Sequence, residues 1–265
     1  MAAATTWGAF HGQLGDVRQS LANHVAAIGG WLLQPFVPTP DLWVAAEGGD
    51  AEEVRRLITG GADIEVMGGP FRSSPLLRAA ITGQEAVVLL LLELGADISA
   101  KNMVGFTPLA AAASNNEETI VQLLLQHGAD VSVKTILGFT PLADAAMRGH
   151  EAVALLLVQH GADVSATDIM GETALHAAAS EGREQMVLML IEHGADVSST
   201  NNFGDTPQDL ATSHSHLKVA AILKAEAVSR AKRVAFAMGL QGRLGAGSWV
   251  HALDAEMVRK VLERV

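Results

Sequence analysis

The chain carries ten histidines and no cysteine, which rules out disulfides and thiolate metal sites and leaves imidazole and carboxylate as the only strong metal ligands. Three of the histidines recur at one spacing: His127, His160 and His193 stand 33 residues apart, each directly before a Gly-Ala-Asp string. A metal centre needs several ligands within about 2 Å of one ion. Helices repeated at this period stack about 8–10 Å apart, so a column of single histidines cannot converge. A histidine in the last turn of a helix answers the negative end of the helix dipole instead. His214 and His216 are a lone pair among serines, too few for a site. Gly239, Gly242, Gly245 and Gly247 resemble a phosphate loop only in composition; no strand precedes them, and their spacing matches neither the dinucleotide nor the Walker pattern. No acid, base and nucleophile fall into one cluster. The expectation is a chain without catalysis, metal or cofactor, and without a small-molecule substrate.

The elements that carry these residues come from a repeated unit, seen most clearly at 134–166, KTILGFTPLADAAMRGHEAVALLLVQHGADVSA. Gly-Ala-Asp occurs at 61–63, 95–97, 128–130, 161–163 and 194–196. Thr-Pro recurs at 107–108, 140–141 and 206–207, with Ser74-Pro75 and Thr173-Ala174 as near copies. Each fixed position has a physical reason. Thr140 is a good N-cap, because its hydroxyl accepts from a free amide of the first turn. Pro141 then falls at the first helical position, where a missing N–H costs nothing. Ala145 and Ala146 are small enough for two helices to pack closely. Gly149 is a left-handed stop, matched by Gly49, Gly83 and Gly182, with Asn116 as the tolerated substitute. A second helix follows, with Val153, Leu156 and Leu157 on one face. No such unit can bury its apolar side alone, so neighbours must stack.

A period of 33 with TPL, AA, G and GAD at fixed places resembles the ankyrin-repeat family over about residues 41–225. The resemblance implies an all-α solenoid of helix-turn-helix units joined by β-hairpin-like turns. Three regions are expected: a worn N-terminal capping repeat and Pro-rich loop at 1–40, the repeats at 41–225, and a helical tail at 226–265. The resemblance also makes His176, in TALHAAA, a buried hydrogen-bonding histidine; the other repeats carry Trp43, Leu77, Ala110, Ala143 or Asp209 there. The asparagine that the family can have hydroxylated is serine here, at Ser99, Ser132, Ser165 and Ser198, so that modification is not expected at these positions.

Net charge is −11, and because residues 226–265 hold seven Lys/Arg against four Asp/Glu, the body before them is more acidic still. An acidic body repels phosphate backbones, which argues against nucleic acid as a partner. Arg230, Lys232 and Arg233 read as a solvated helix face. The longest apolar runs, of which Ala86 to Leu92 is one, are too short to span a bilayer. The start lacks the pattern of a secretory signal, though an organellar transit segment stays open. The expected compartment is the cytoplasm, with nucleus or organelle left open, and the expected state is a monomer or one subunit of a larger assembly.

The family resembles a cupped hand, with hairpin fingers at the turns and the first helices as its palm, and its members bind proteins mostly with fingers and palm. In this chain the residue just before each finger glycine is apolar: Phe71 (with Arg72 in place of the glycine), Val104, Leu137, Met170 and Phe203. Met103, Ile136 and Ile169 stand beside them, and Phe106 and Phe139 follow the glycine. A contiguous apolar row on loop tips marks an interaction surface. The competing reading is self-coverage by neighbouring fingers or by the tail. Five buried side chains contribute on the order of 8–15 kcal/mol, against about 4–15 for association. Palm residues must therefore help: Arg78, Asp144, Met147 and Arg148, with Ser114, Asn115, Ser180 and Glu181. The expected function is non-catalytic binding of an apolar segment of another protein. The alternative is a substrate receptor that recruits a ubiquitin-ligase-type complex through a C-terminal helix, on a weak likeness of LDAEMVRKVL to the opening of an F-box. Against both stands a tail that folds back over the end of the stack.

Overall fold

The computed structural model describes residues 41–237. Among these residues there are twelve helices and no strand. They form six helical hairpins: α1 Asp41–Gly48 with α2 Ala51–Thr59, α3 Pro75–Ile81 with α4 Glu85–Glu93, α5 Pro108–Ser114 with α6 Glu118–Gln126, α7 Pro141–Arg148 with α8 Glu151–Gln159, α9 Ala174–Ser180 with α10 Glu184–Glu192, and α11 Pro207–Ser213 with α12 Leu217–Ala237. Each hairpin packs on the next, first helix against first helix and second against second. The result is the all-α solenoid expected from the period.

Local chemistry sets where the helices begin and stop. Ser74, Thr107, Thr140, Thr173 and Thr206 each accept from the amide three residues on, at 3.1–3.4 Å for the Thr140 and Thr173 extremes. That satisfies one donor the helix leaves free. The second helices α4, α6, α8 and α10 have no side-chain cap. They begin instead on Glu85, Glu118, Glu151 and Glu184, whose charge suits the positive end of the dipole. The link between the two helices turns in the left-handed region at Gly149 (φ 80°), and Asn116 (φ 63°) and Ser215 (φ 65°) adopt the same conformation without a glycine.

The core is a set of columns that run through the stack. Leu42, Leu76, Leu109, Leu142 and Leu175 form one, and Leu91, Leu124, Leu157, Leu190 and Leu223 another, all fully buried. The alanine pairs at 45–46, 79–80, 112–113, 145–146 and 178–179 are buried between first helices, which explains why those helices can lie so close.

Both ends of the described stack break these columns. Glu53, paired with Arg56, stands where later hairpins bury Val87, Ile120, Val153, Met186 and Val219. At the other end, Gln208 replaces the leucine column, exposed Thr212 replaces Ala80, Ala113, Ala146 and Ala179, and exposed Lys224 follows Leu125, Val158 and Ile191. The face that a seventh hairpin would cover is therefore polar.

Helix α12 is one continuous helix from Leu217 to Ala237, running past the expected start of the tail at 226. One expectation changes. Arg230 is not a solvated residue: its guanidinium donates to the Ala195 carbonyl (2.9 Å) and pairs with Glu226 and Asp196, while Arg233 also reaches Glu226. These contacts clamp the overhanging part of α12 to the turn after α10. The capping repeat and Pro-rich loop expected at 1–40, and the part of the expected helical tail after residue 237, lie outside the described residues.

Candidate protein-binding ridge

Each finger is a short turn built on its own hydrogen bonds. The turns close from Asn102 N to Phe106 O (3.1 Å), Thr135 N to Phe139 O, Asp168 N to Glu172 O and Asn201 N to Asp205 O (3.0 Å each). Inside three of them one side-chain oxygen accepts twice. Asn102 Oδ1 takes the amides of Val104 and Phe106, Asp168 Oδ1 those of Met170 and Glu172, and Asn201 Oδ1 those of Phe203 and Asp205. In the remaining finger Thr135 Oγ1 accepts from Phe139 N alone, at 3.2 Å. This column of Asn, Thr, Asp and Asn, 33 residues apart, was open to sequence reasoning and was missed.

The fingers are also tied to each other. Met103 N donates to Phe71 O (2.9 Å), Ile136 N to Val104 O (3.1 Å), Ile169 N to Leu137 O (3.2 Å) and Asn202 N to Met170 O (2.9 Å). Glycine is needed at this approach: a methyl group on Gly138 would stand 2.8 Å from Ile169 N. Gly204, with no finger beyond it, meets nothing within 4 Å.

This ladder decides which apolar side chains reach solvent. Phe71, Val104 and Met170 are half-buried between fingers; Leu137 and Phe203 are more open. Phe106 is half-buried, and Phe139 packs against the core. The most exposed row is the one beside them: Met103 at 64%, Ile136 at 65% and Ile169 at 60%. Pro70 and Asn202 occupy the equivalent places on the fingers before and after, so the apolar row has three members. Asn202 turns its amide onto the Ile169 carbonyl, 3.1 Å away.

The palm contributes less than its sequence positions suggest. Arg78 lies over the Trp43 ring and is paired with Glu47, so its charge is already engaged. Asp144 is only 6% exposed and cannot act as a surface contact. Small residues on the neighbouring first helices, Ala111 and Ala177, let those helices close over it. Burial raises its carboxyl above the usual range, opposed by Arg148 3.8 Å away and a hydrogen bond with Ser114. Its Oδ2 has no hydrogen-bond partner. Ser114 and Ser180 are buried as well. Asn115, Arg148 and Glu181 are exposed and Met147 half-buried.

The histidine column does what a helix terminus asks. His127, His160 and His193 donate through Nδ1 to the carbonyls of Leu123, Leu156 and Met189, at 2.8–2.9 Å. Among the described residues, no three His, Asp or Glu side chains are placed to hold a metal. His176 is fully buried, and its Nδ1 accepts from Thr173 N (3.2 Å) while Nε2 donates to Asp205 O (3.2 Å). Burial holds its imidazole below the usual pKa.

Two sequence models of known proteins match. One of ankyrin repeats in three copies covers residues 42–135 and 100–168, and one of ankyrin repeats in many copies covers 175–223. The chain belongs to the ankyrin-repeat family. Ankyrin repeats are generally non-catalytic modules that mediate protein–protein interaction. The matches span the six hairpins from α1 into α12, so this stack is an ankyrin solenoid along its described length. No curated protein matches the chain. Within the described residues no helix of this ankyrin stack is long and apolar enough to cross a membrane.

Proposed function

We propose that this ankyrin solenoid holds an apolar segment of another polypeptide against its outer finger row, Met103, Ile136 and Ile169. The observation that carries the reading is the exposure of three large apolar side chains, each above half, in line on turns whose backbone is already tied. Such a row is expensive to leave in water and is a usual mark of a partner surface. The ladder already uses the amides of Met103, Ile136 and Ile169 and the carbonyls of Phe71, Val104 and Leu137, so on this reading the partner is held through side chains and not through strand addition. Leu137 and Phe203 border the row, and exposed Asn115, Arg148 and Glu181 with half-buried Met147 supply polar contacts from the palm.

Magnitudes limit what the row does alone. Burying three such side chains contributes about 5–9 kcal/mol, within the range of about 4–15 that association costs. Affinity therefore depends on the palm, and the partner must reach both surfaces. The alternative of a receptor docking through its C-terminal helix falls on residues outside the described ones, and no contact of the stack favours it.

Replacing Ile136 and Ile169 by Asp tests the reading. Surface changes usually stay within about 0.5 kcal/mol, so the variant should melt like the parent and lose the proteins that the parent retains from its native source. Equal retention by the variant, or a large loss of stability, would overturn the proposal.

A further inference from the structure

A row of cations stands beside the apolar row of the fingers. Lys101 precedes Met103 by two residues and Lys134 precedes Ile136 by two, with Thr167 and Thr200 in that place on the later fingers. Exposure alternates along these stretches: Lys134 and Ile136 are open with Thr135 half-buried between them, and Lys101, Asn102 and Met103 repeat the order. Side chains two apart along an extended stretch share a face. Each lysine therefore stands about 7 Å from its apolar neighbour, on the same side. Arg72, also exposed, adds a cation on the finger before them.

These charges run against a chain whose net charge is −11. They are also uncompensated. Lys101 makes no ion pair or hydrogen bond among the described residues, and Lys134 donates only to a carbonyl, Thr167 O at 2.6 Å. Asp130 feels the charge of Lys101 and Asp163 that of Lys134, but both carboxylates are turned to their own loops. Each accepts there from the amide and hydroxyl of Ser132 or Ser165. The acids of the fourth finger face inward, Asp168 onto two amides of its turn and Glu172 into a buried position. The open charge beside Met103 and Ile136 is thus positive.

Spacing selects the shape of the partner. Equivalent finger residues recur about every 10 Å, as the stacked helices do. A helix rises about 10.5 Å in seven residues, so one face can set a side chain on each of Met103, Ile136 and Ile169. An extended chain covers that step in three residues, which turns the side chain to the opposite face. A polyproline segment keeps the face but is read by aromatic grooves, and this row is aliphatic.

Resting on the finger-row reading above, we infer that the partner segment is an amphipathic helix with apolar residues one heptad apart. Carboxylates line its edge and meet Lys101 and Lys134.

A labelled synthetic peptide of three heptads tests this by fluorescence anisotropy at low salt, where exposed charges are least screened. Leucine takes every seventh position, and the edge beside it carries glutamate or, in a matched peptide, lysine. Net charge alone would favour the lysine peptide; the finger cations should instead make the glutamate peptide bind at least about ten-fold more tightly. K101E/K134E should invert that order. K101E, which has no bond to lose, should narrow the difference even if the double variant fails to fold. Equal or weaker binding of the glutamate peptide, no binding of it, or undiminished binding when proline interrupts its central heptad overturns the proposal. The finger row is judged separately: native-source proteins lost by I136D/I169D but retained by K101E/K134E would leave the row standing and overturn the acidic helix alone.

Discussion

The Arg78 guanidinium lies over the indole ring of Trp43, 4.9 Å from its centroid. The ring is also met by backbone: a methyl group on Gly68 would stand 2.6 Å from Trp43 Cγ. Trp43 fills the place that His176 holds in the fifth hairpin, so the first turn is built around an aromatic ring where the fifth uses an imidazole hydrogen bond. Gly68 is not in a left-handed conformation, so its requirement is space alone. Gly68→Ala should therefore cost about 1–3 kcal/mol through overpacking. A denaturant-unfolding cycle with Trp43→His should recover most of that loss; additive losses would show that the ring is not the cause.

Asp144→Ala should stabilise the chain by about 1 kcal/mol, since it removes a buried carboxyl with an unpartnered oxygen and restores the alanine of the flanking repeats. The pH dependence has a definite sign. Burial raises the folded carboxyl above 3.8, so the folded chain holds this proton more tightly than the unfolded one. The associated stability is greatest at low pH and is lost as pH rises through the folded value. Thermal melts should show the gain from the substitution growing with pH across that range. A substitution that destabilises near neutral pH would contradict this account.

Thr135→Asn should strengthen the finger that carries Ile136. Asn102, Asp168 and Asn201 each hold two amides of their turn where Thr135 holds one. One added bond is worth about 0.5–1.5 kcal/mol, readable as a raised melting temperature, and slower exchange of the Leu137 amide would locate the effect. No change in that amide would refute the mechanism.

His176 works in the opposite direction to Asp144. Its folded imidazole is held below 6.5 by burial, so its contribution is complete above that value and is lost as pH falls through the lower folded one. His176→Gln should cost about 1–3 kcal/mol at neutral pH by leaving buried partners unpaired. It should also flatten the fall of stability as pH drops below about 6.5, the ordinary imidazole value. Retention of the parental acid sensitivity would assign that sensitivity elsewhere.

Most of the architecture could be read from the period, because each fixed residue has a local reason that neighbours do not override. Thr140 caps its own helix, and Asn116 takes the left-handed link that Gly149 takes one hairpin later. The finger row was legible as apolar but not in its orientation. Ile136 and Leu137 are adjacent in sequence and alike in chemistry; which of them meets water depends on Ile136 N donating to Val104 O of the preceding finger, a contact between units. Asp144 was misplaced for a related reason. Its position on the helix faces the palm, yet the small residues to either side allow the helices to cover it. Arg230 carried no periodic signal, since its partners Ala195 and Asp196 lie in another hairpin.

The polar outer face of α11 and α12 has a consequence for lengthening the molecule. Gln208, Thr212 and Lys224 offer nothing to an added unit, and Gly204 meets no backbone that would continue the ladder. Extra copies of the 134–166 string can be spliced in ahead of residue 167, where leucine, alanine and glycine await them on both sides. The same copies laid against α11 and α12 would find no seat, so this array can grow from its middle and not from its polar outer face.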